Sequence, residues 1–187
     1  FTSGESVANI DKARNAATVV FNSTPGAFGQ VQYKAAGRYA NGGCDGGGWS
    51  AINSANQAMD SHRLTLSNLV DGMHYCWRAV TEYPRGAPYR TVVTGPSQSF
   101  VFDKTPPTVT APAYVILEQE NLQGTVVNKA NLGLPEVRDL VDKRMSATNI
   151  ATPEVIGRGD IPVDGVALQL GTHHVRWRAS DSAGNVG

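Results

Sequence analysis

The chain has 187 residues, 41% of them hydrophobic, and its 16 basic and 16 acidic side chains leave a formal net charge of zero. That length holds one large domain or two of about 80 to 110 residues, each with its own core. The neutral balance provides no long-range field to gather phosphate backbones or anionic lipid heads, so nucleic acid and membrane surfaces are not expected partners.

Twenty glycines and ten prolines punctuate short runs rich in Val, Thr, Tyr and Phe, and amphipathic helical periodicity is nearly absent, a profile that predicts an all-β sandwich or barrel. No run reaches the roughly 18 apolar residues that cross a bilayer. The start at Phe1 lacks the basic region and apolar stretch of a signal peptide, so the sequence reads as a mature fragment of something longer.

In chain order, Ala16 to Ser23 is a β-branched run ended by Thr24-Pro25-Gly26, and Gln30 to Ala35 alternates polar and apolar residues before a glycine-rich loop, Asn41 to Gly48. Trp49 to Asn53 fits a short edge strand, and Ser54 to Ser61 fits either loop or one helical turn. His62 to Ser67, a turn over Leu69-Val70-Asp71-Gly72, and Met73 to Glu82 follow. A polar loop with Pro84, Gly86 and Pro88 leads to the closing run Ser97 to Phe102. A series of short strands of this kind in about a hundred residues suits a two-sheet sandwich.

Alternation along Met73 to Thr81 places Tyr75, Trp77 and Ala79 on one face, expected to be the buried one, and His74, Cys76, Arg78 and Val80 on the other. Cys44 and Cys76 are the two cysteines of the chain, too far apart for a CxxC motif. They read as one disulfide or as two thiols in a reducing compartment. As a disulfide, the pair pins the glycine-rich loop across the outer surface of the sheet and contributes about 3 kcal/mol in the chain-entropy model.

Leu66, Leu69, Gly72 and Tyr75 in LSNLVDGMHYCWRAV resemble the strand E to strand F corner of a fibronectin type III domain, in which a leucine, a glycine and a tyrosine recur at this spacing. The resemblance covers about residues 1 to 103 and implies a β-sandwich locked by the corner tyrosine. The first long strand lacks the tryptophan the family often has there, and the cysteine pair is additional.

Asp103-Lys104-Thr105-Pro106-Pro107 marks the expected domain boundary, since Pro106 and Pro107 donate no ladder hydrogen bonds and hold the backbone near polyproline geometry. The second half continues with Val109 to Thr110, Tyr114 to Glu118, Gly124 to Asn128, Glu154 to Gly157, Val166 to Leu170 and His173 to Ser180 as predicted strands. The segments DKTPPTVTAPAYVILEQ, LPEVRDLVD and LQLGTHHVRWRASDSAGNVG resemble, in this order, a hyalin repeat or a related bacterial Ig-like repeat. In such repeats a further strand follows the aspartate-x-alanine-glycine-asparagine turn. The expectations here are truncation after Gly187 or a strand supplied by β-augmentation.

Few constellations suggest chemistry. No GxSxG, HExxH, P-loop or strand-to-helix GxGxxG motif occurs. His173 and His174, adjacent on a predicted strand, point to opposite faces and make poor joint ligands; His62 and His74 read as structural. Asp139 and Asp142, with Asp103 and Asp181, offer hard oxygens suited to Ca²⁺, or else act as turn caps bonded to their own backbone. Arg158-Gly159-Asp160 resembles the integrin-binding tripeptide, or is a plain charged turn. Trp49, Tyr83, Tyr89 and Tyr39 sit in or beside loops, where aromatics either stack on a ligand or rim the core.

The resulting expectation is all-β: two tandem immunoglobulin-like sandwiches, 1–103 and 104–187, joined by a short Pro-rich linker, with the last strand of the second missing. The function expected is a non-catalytic, extracellular spacer or adhesion module of a larger secreted or cell-surface protein. Its expected partners are a protein or glycan on another surface or neighbouring domains of the same chain, with calcium the one cofactor to consider. The alternatives are accessory domains of a secreted enzyme, binding carbohydrate or protein, and a surface-filament subunit using strand donation.

Overall fold

A computed structural model describes residues 1–38, 43–53, 58–84, 88–143 and 151–187, with only the backbone of Asn53. Tyr39, Asn41, Gly86 and the stretch 54–57 lie outside the described residues. These residues form fourteen strands and no helix, and none of the structure is a helix long and apolar enough to cross a membrane. The chain divides into two compact units, Phe1–Lys104 and Thr105–Gly187.

Unit 1 holds β1 (Thr2–Asp11), β2 (Ala16–Arg38), β3 (Ser50–Asn53), β4 (Met59–Leu66), β5 (Met73–Tyr83), β6 (Thr91–Thr94) and β7 (Gln98–Phe102). Strand β2, 23 residues long, is the spine. Its first half pairs antiparallel with β1 and β4, and its second half with β3 and β5. Strand β5 then pairs with β7 through its first residues and with β6 through its last.

The two strands expected from Ala16 to Ala35 are therefore one. Thr24-Pro25-Gly26 does not end the strand. It is the corner at which the chain leaves one layer for the next, with Gly26 at φ 75° and a register shift between Asn22 and Ala27. Two strands of unit 1 escaped the sequence reading. Strand β1 shows little apolar alternation, and among its residues Val7 packs on the core. Strand β6 is short and largely exposed.

The core lies between these layers. Ala17, Val19 and Phe21 of β2 and Leu64 and Leu66 of β4 meet Val31, Tyr75, Trp77, Ala79 and Phe102 of the other layer, with Leu69 beside them. Period-two spacing puts each set on one face of its strand, and burying such side chains contributes about 1.5–3 kcal/mol each. Strand β5 departs from simple alternation. His74, Cys76 and Val80, expected to face outward, are 8%, 0% and 8% exposed. Cys76 is bonded to Cys44, with 5.4 Å between their Cα atoms, and the glycine loop carrying Cys44 covers that side of the sheet.

The corner before β5 has a definite bonding pattern. The Val70 amide donates to the Tyr75 hydroxyl at 2.8 Å, the Leu69 amide to the Asn15 carbonyl and the Gly72 amide to the Phe102 carbonyl. Gly72 lies at φ 70°, a conformation that costs glycine little.

Unit 2 is built of shorter pieces. Strands β8 (Thr108–Thr110) and β10 (Glu136–Arg138) pair, as do β9 (Thr125–Val127) and β13 (Val166–Leu168). The three-stranded sheet has the order β12 (Gly159–Asp160), β11 (Ala151–Val155), β14 (Val175–Ala179). Two small clusters make the core: Val127, Val155, Ile161 and Leu168 in one, and Ala151, Trp177 and Ala179 in the other. Leu132 and Val175 pack against both.

Two sequence expectations are corrected here. Glu154 to Gly157 is the end of a strand that starts earlier, because the chain turns at Gly157 and Arg158 to make the β11–β12 hairpin. Tyr114 to Glu118 has strand composition but forms no strand, since no described strand lies in pairing position beside it. Pro106 is exposed and Pro107 buried, both within unit 2.

Candidate functional site

The outer face of the β2–β5 pair carries a connected set of polar side chains. Register sets Lys34 opposite Cys76 and Gln32 opposite Arg78, so alternation brings Gln30, Gln32, Lys34 and Arg78 to one side. The disulfide draws the glycine loop onto that side. The Lys34 ammonium donates to the carbonyls of Asp45, Gly46 and Gly47, and the Trp49 indole N–H donates to the Gly46 carbonyl at 2.9 Å.

The Trp49 ring carries two cations, the Lys34 Nζ 4.8 Å and the Arg78 Cζ 4.4 Å from its centroid. Such contacts contribute about 0.5–1 kcal/mol at exposed positions. The Arg78 Nε donates to the Gln32 Oε1 at 2.8 Å, and the Gln32 Nε2 to the Gln30 Oε1. Trp49, a candidate for stacking on a ligand, thus has its π surface engaged within the protein. Sequence reasoning missed Lys34 and Arg78; the alternation in QVQYKA was visible, but the register that sets it against β5 was not.

Tyr83 and Tyr89 differ from Trp49. They sit at the end of β5 and just before β6, 50% and 81% exposed, and Glu82 and Arg90 form an ion pair at 3.4 Å on the same connection. Two open aromatic surfaces at the two ends of the β5–β6 connection are suited to stacking on a sugar ring or an apolar protein contact.

A serine and a histidine meet inside unit 1. The Ser23 Oγ is 2.9 Å from the His62 Nε2, and it donates to the Met59 carbonyl. The same hydroxyl also lies 3.1 Å from the Thr24 carbonyl, so carbonyls and the ring nitrogen surround it inside the fold. The two residues are 3% and 1% exposed, the ring stacks on Phe21 at 4.7 Å, and a Cβ at Gly29 would lie 2.3 Å from its Nδ1. Burial holds the His62 pKa below 6.5, against smaller raising effects of the Met59 backbone and of Asp60.

The acidic residues flagged as oxygen ligands are placed as follows. Asp103 follows β7 in unit 1 and is buried. In unit 2, the Asp139 Oδ1 accepts from the amides of Val141 and Asp142 at 2.8 and 2.7 Å. Asp142 accepts from the Ser182 amide and hydroxyl, and Asp181 accepts from the Asn185 amide and Nδ2. These bonds tie the turn after β10 to the turn after β14. A carboxylate oxygen of Asp139 lies within 4.8 Å of one of Asp181, and the Asp139 Oδ2 is shielded from solvent without a hydrogen-bond partner.

Arg158-Gly159-Asp160 forms the exposed turn and return strand of the β11–β12 hairpin. The Arg158 Nη1 donates to the Ala167 carbonyl at 3.4 Å, while Asp160 is ion-paired with Arg178, which also meets Glu154 at 3.7 Å. The arginine and aspartate side chains of the tripeptide are each held by unit 2 itself.

Compared with known proteins, the sequence matches no family model and no curated protein.

Proposed function

We propose that the chain is a non-catalytic extracellular spacer or adhesion module of a larger secreted or cell-surface protein, made of a fibronectin type III-like sandwich followed by a hyalin-repeat-like sandwich. The observation that carries this reading is the contrast within unit 1 between sealed and open groups. Its Ser–His pair is sealed inside the fold, away from any substrate, whereas Tyr83, at the end of β5, and Tyr89, just before β6, stand exposed on a disulfide-stapled sheet. Rigid frameworks that present loops in this way are suited to recognition, and a disulfide persists in oxidising, extracellular surroundings.

The partners proposed are a protein or glycan on another surface or the neighbouring domains of the same chain, with neither nucleic acid nor membrane insertion of this segment. Screening the chain against immobilised glycans and extracellular-matrix proteins tests the reading. A ligand whose binding falls at least about tenfold in a Tyr83→Ala, Tyr89→Ala double variant is the expected result. Retention of full affinity by the double variant for every ligand found would remove the loop from the proposal. Asp160→Glu is expected to leave binding unchanged, because Asp160 is engaged with Arg178.

A second reading concerns calcium in unit 2. The close approach of the Asp139 and Asp181 carboxylates, with the Asp139 Oδ2 shielded and lacking a hydrogen-bond partner, favours a hard cation that takes oxygens at about 2.3–2.6 Å. Asp139 and Asp181 would contribute the oxygens, while both oxygens of Asp142 are taken by Ser182. A rise in the melting temperature of unit 2 with millimolar calcium, reversed by chelator and lost in Asp139→Asn, is expected; identical melting with calcium and with chelator sinks the idea.

A further inference from the structure

Two cations on the outer face of the β2–β5 pair have no acidic partner. The Lys34 Nζ and the Arg78 Cζ lie 4.8 and 4.4 Å from one ring centroid, that of Trp49. Less than about 10 Å therefore separates them, close to one screening length in dilute salt, and their fields add. Among the described residues the ion pairs of unit 1 are Arg14–Asp11 and Arg90–Glu82, and neither Lys34 nor Arg78 enters one. Asp45 of the glycine loop meets Lys34 through its backbone carbonyl, and the stretches outside the described residues contain no Asp or Glu. Both cationic residues are half-buried, so water screens them less than it screens a free side chain.

The two cations play different parts. The Lys34 ammonium has three donors, and they are directed at the carbonyls of Asp45, Gly46 and Gly47. Lys34 is thus a fixed positive charge. Arg78 gives its Nε to the Gln32 Oε1, and Gln32 is anchored in turn on Gln30. Among the described residues no acceptor meets either Nη of Arg78. Its planar fork matches the two oxygens of a carboxylate, and a fork already held by Gln32 and Trp49 loses little freedom when it binds.

The surroundings indicate what carries that carboxylate. A Cβ at Gly46, Gly47 or Gly48 would meet nothing within 4 Å. Gly46 and Gly48 lie at φ 77° and 82°, which accounts for glycine there. Gly47 has neither a positive φ nor a neighbour to avoid, and its lack of a side chain leaves the backbone bare to an approaching ligand. None of the large apolar side chains exposed in unit 1 belongs to the glycine loop, to β3 or to residues 30–34 and 76–80. Protein contacts centre on such side chains; the hydroxyls of a sugar take hydrogen bonds from amides and backbone instead.

We propose that Arg78, in the field of Lys34, binds the carboxylate of an acidic glycan, a sugar of the uronic acid type whose hydroxyls meet the Gln30–Gln32 amides and the backbone at Gly47. Trp49 and Gln32 are positioning residues that fix the guanidinium. The inference rests on reading the chain as an extracellular binding module, and it puts the glycan on the sheet face rather than on the β5–β6 connection.

The test titrates the full chain with a short oligogalacturonate, with its methyl-esterified form and with polyglutamate. The free acid is expected to bind at least about tenfold more tightly than the ester or the acidic peptide, and Arg78→Gln to weaken it at least about tenfold. Arg63→Gln, which removes an exposed charge from β4, and the Tyr83→Ala, Tyr89→Ala double variant are expected to leave that affinity unchanged. In the parent protein the Trp49 indole N–H resonance is expected to move on titration, which reads the site without any substitution. Absence of binding, equal binding of the ester or of polyglutamate, equal losses from Arg78→Gln and Arg63→Gln, or a Trp49 resonance that stays in place would overturn the proposal. Loss of affinity confined to the tyrosine variant would overturn it too, while sustaining the binding role of Tyr83 and Tyr89.

Discussion

The two units use the same strand composition and reach different kinds of core. Among the described residues, unit 1 gathers eleven buried side chains into one cluster around Trp77, organised by a 23-residue strand and fastened by a disulfide across a separation of 32. Unit 2 divides four and three buried residues between two clusters, with strands of two to five residues. Its turns are tied instead by carboxylate bonds to backbone and side-chain donors at Asp139, Asp142 and Asp181. Long strands allow one continuous hydrophobic layer; short strands must recruit turns to hold the sheets in register.

The largest expected contrast comes from the two core tryptophans. Trp77→Ala, at a fully buried position, is expected to destabilise unit 1 by about 3–5 kcal/mol and to leave the unfolding of unit 2 unchanged. Trp177→Ala, in a three-residue cluster, is expected to cost less. Denaturant titration followed by a probe in each unit measures both, and equal losses would break the distinction between one core and two.

Reduction of Cys44–Cys76 comes next. In the chain-entropy model it removes about 3–4 kcal/mol from unit 1, whereas unit 2 contains no cysteine and should melt unchanged. Equal melting of the oxidised and reduced protein would show that the carbonyls around Lys34 and the Trp49 contacts hold the loop without the bond.

Acid should separate the units in a third way. His62 is held below 6.5 by burial, so the unfolded chain takes up a proton at a higher pH than the folded one. The resulting stability is fully present above pH 6.5 and is lost as pH falls through the window between the unfolded and folded values. Denaturant midpoints of unit 1 measured from pH 8 downward should decline through that window. His62→Gln should flatten this dependence, and an equally steep decline in that variant would move the cause elsewhere.

The smallest effect belongs to the corner. Tyr75→Phe keeps the buried ring and removes the acceptor for the Val70 amide, at a cost of about 1 kcal/mol to unit 1 alone. A loss several times larger would mean that the hydroxyl organises the whole β4–β5 connection.

Much of this architecture is legible in the residues themselves. Apolar alternation in Ala17, Val19 and Phe21 and in Tyr75, Trp77 and Ala79 gives the core faces, because side-chain direction along a strand has a period of two. The spacing of Leu69, Gly72 and Tyr75 marks a corner, because positive φ and a hydroxyl within reach of backbone are local requirements. Other features are pairings, and a pairing belongs to two distant segments at once. Only register could seat Trp49 beneath Lys34 and Arg78, carry β2 through Pro25 without ending it, or bring Ser23 to His62.

The same reasoning applies to the stretch 114–118 in unit 2. Composition alone makes 114–118 a strand, yet a strand is completed by a neighbour's hydrogen bonds, and that neighbour is set by the fold rather than by the segment. The sequence by itself determined which stretches prefer extended backbone and which of their faces avoid water. Which edges those stretches share, which of them stay open, and which polar groups meet were decided by tertiary structure, since hydrogen bonds between strands depend on positions that no local pattern specifies.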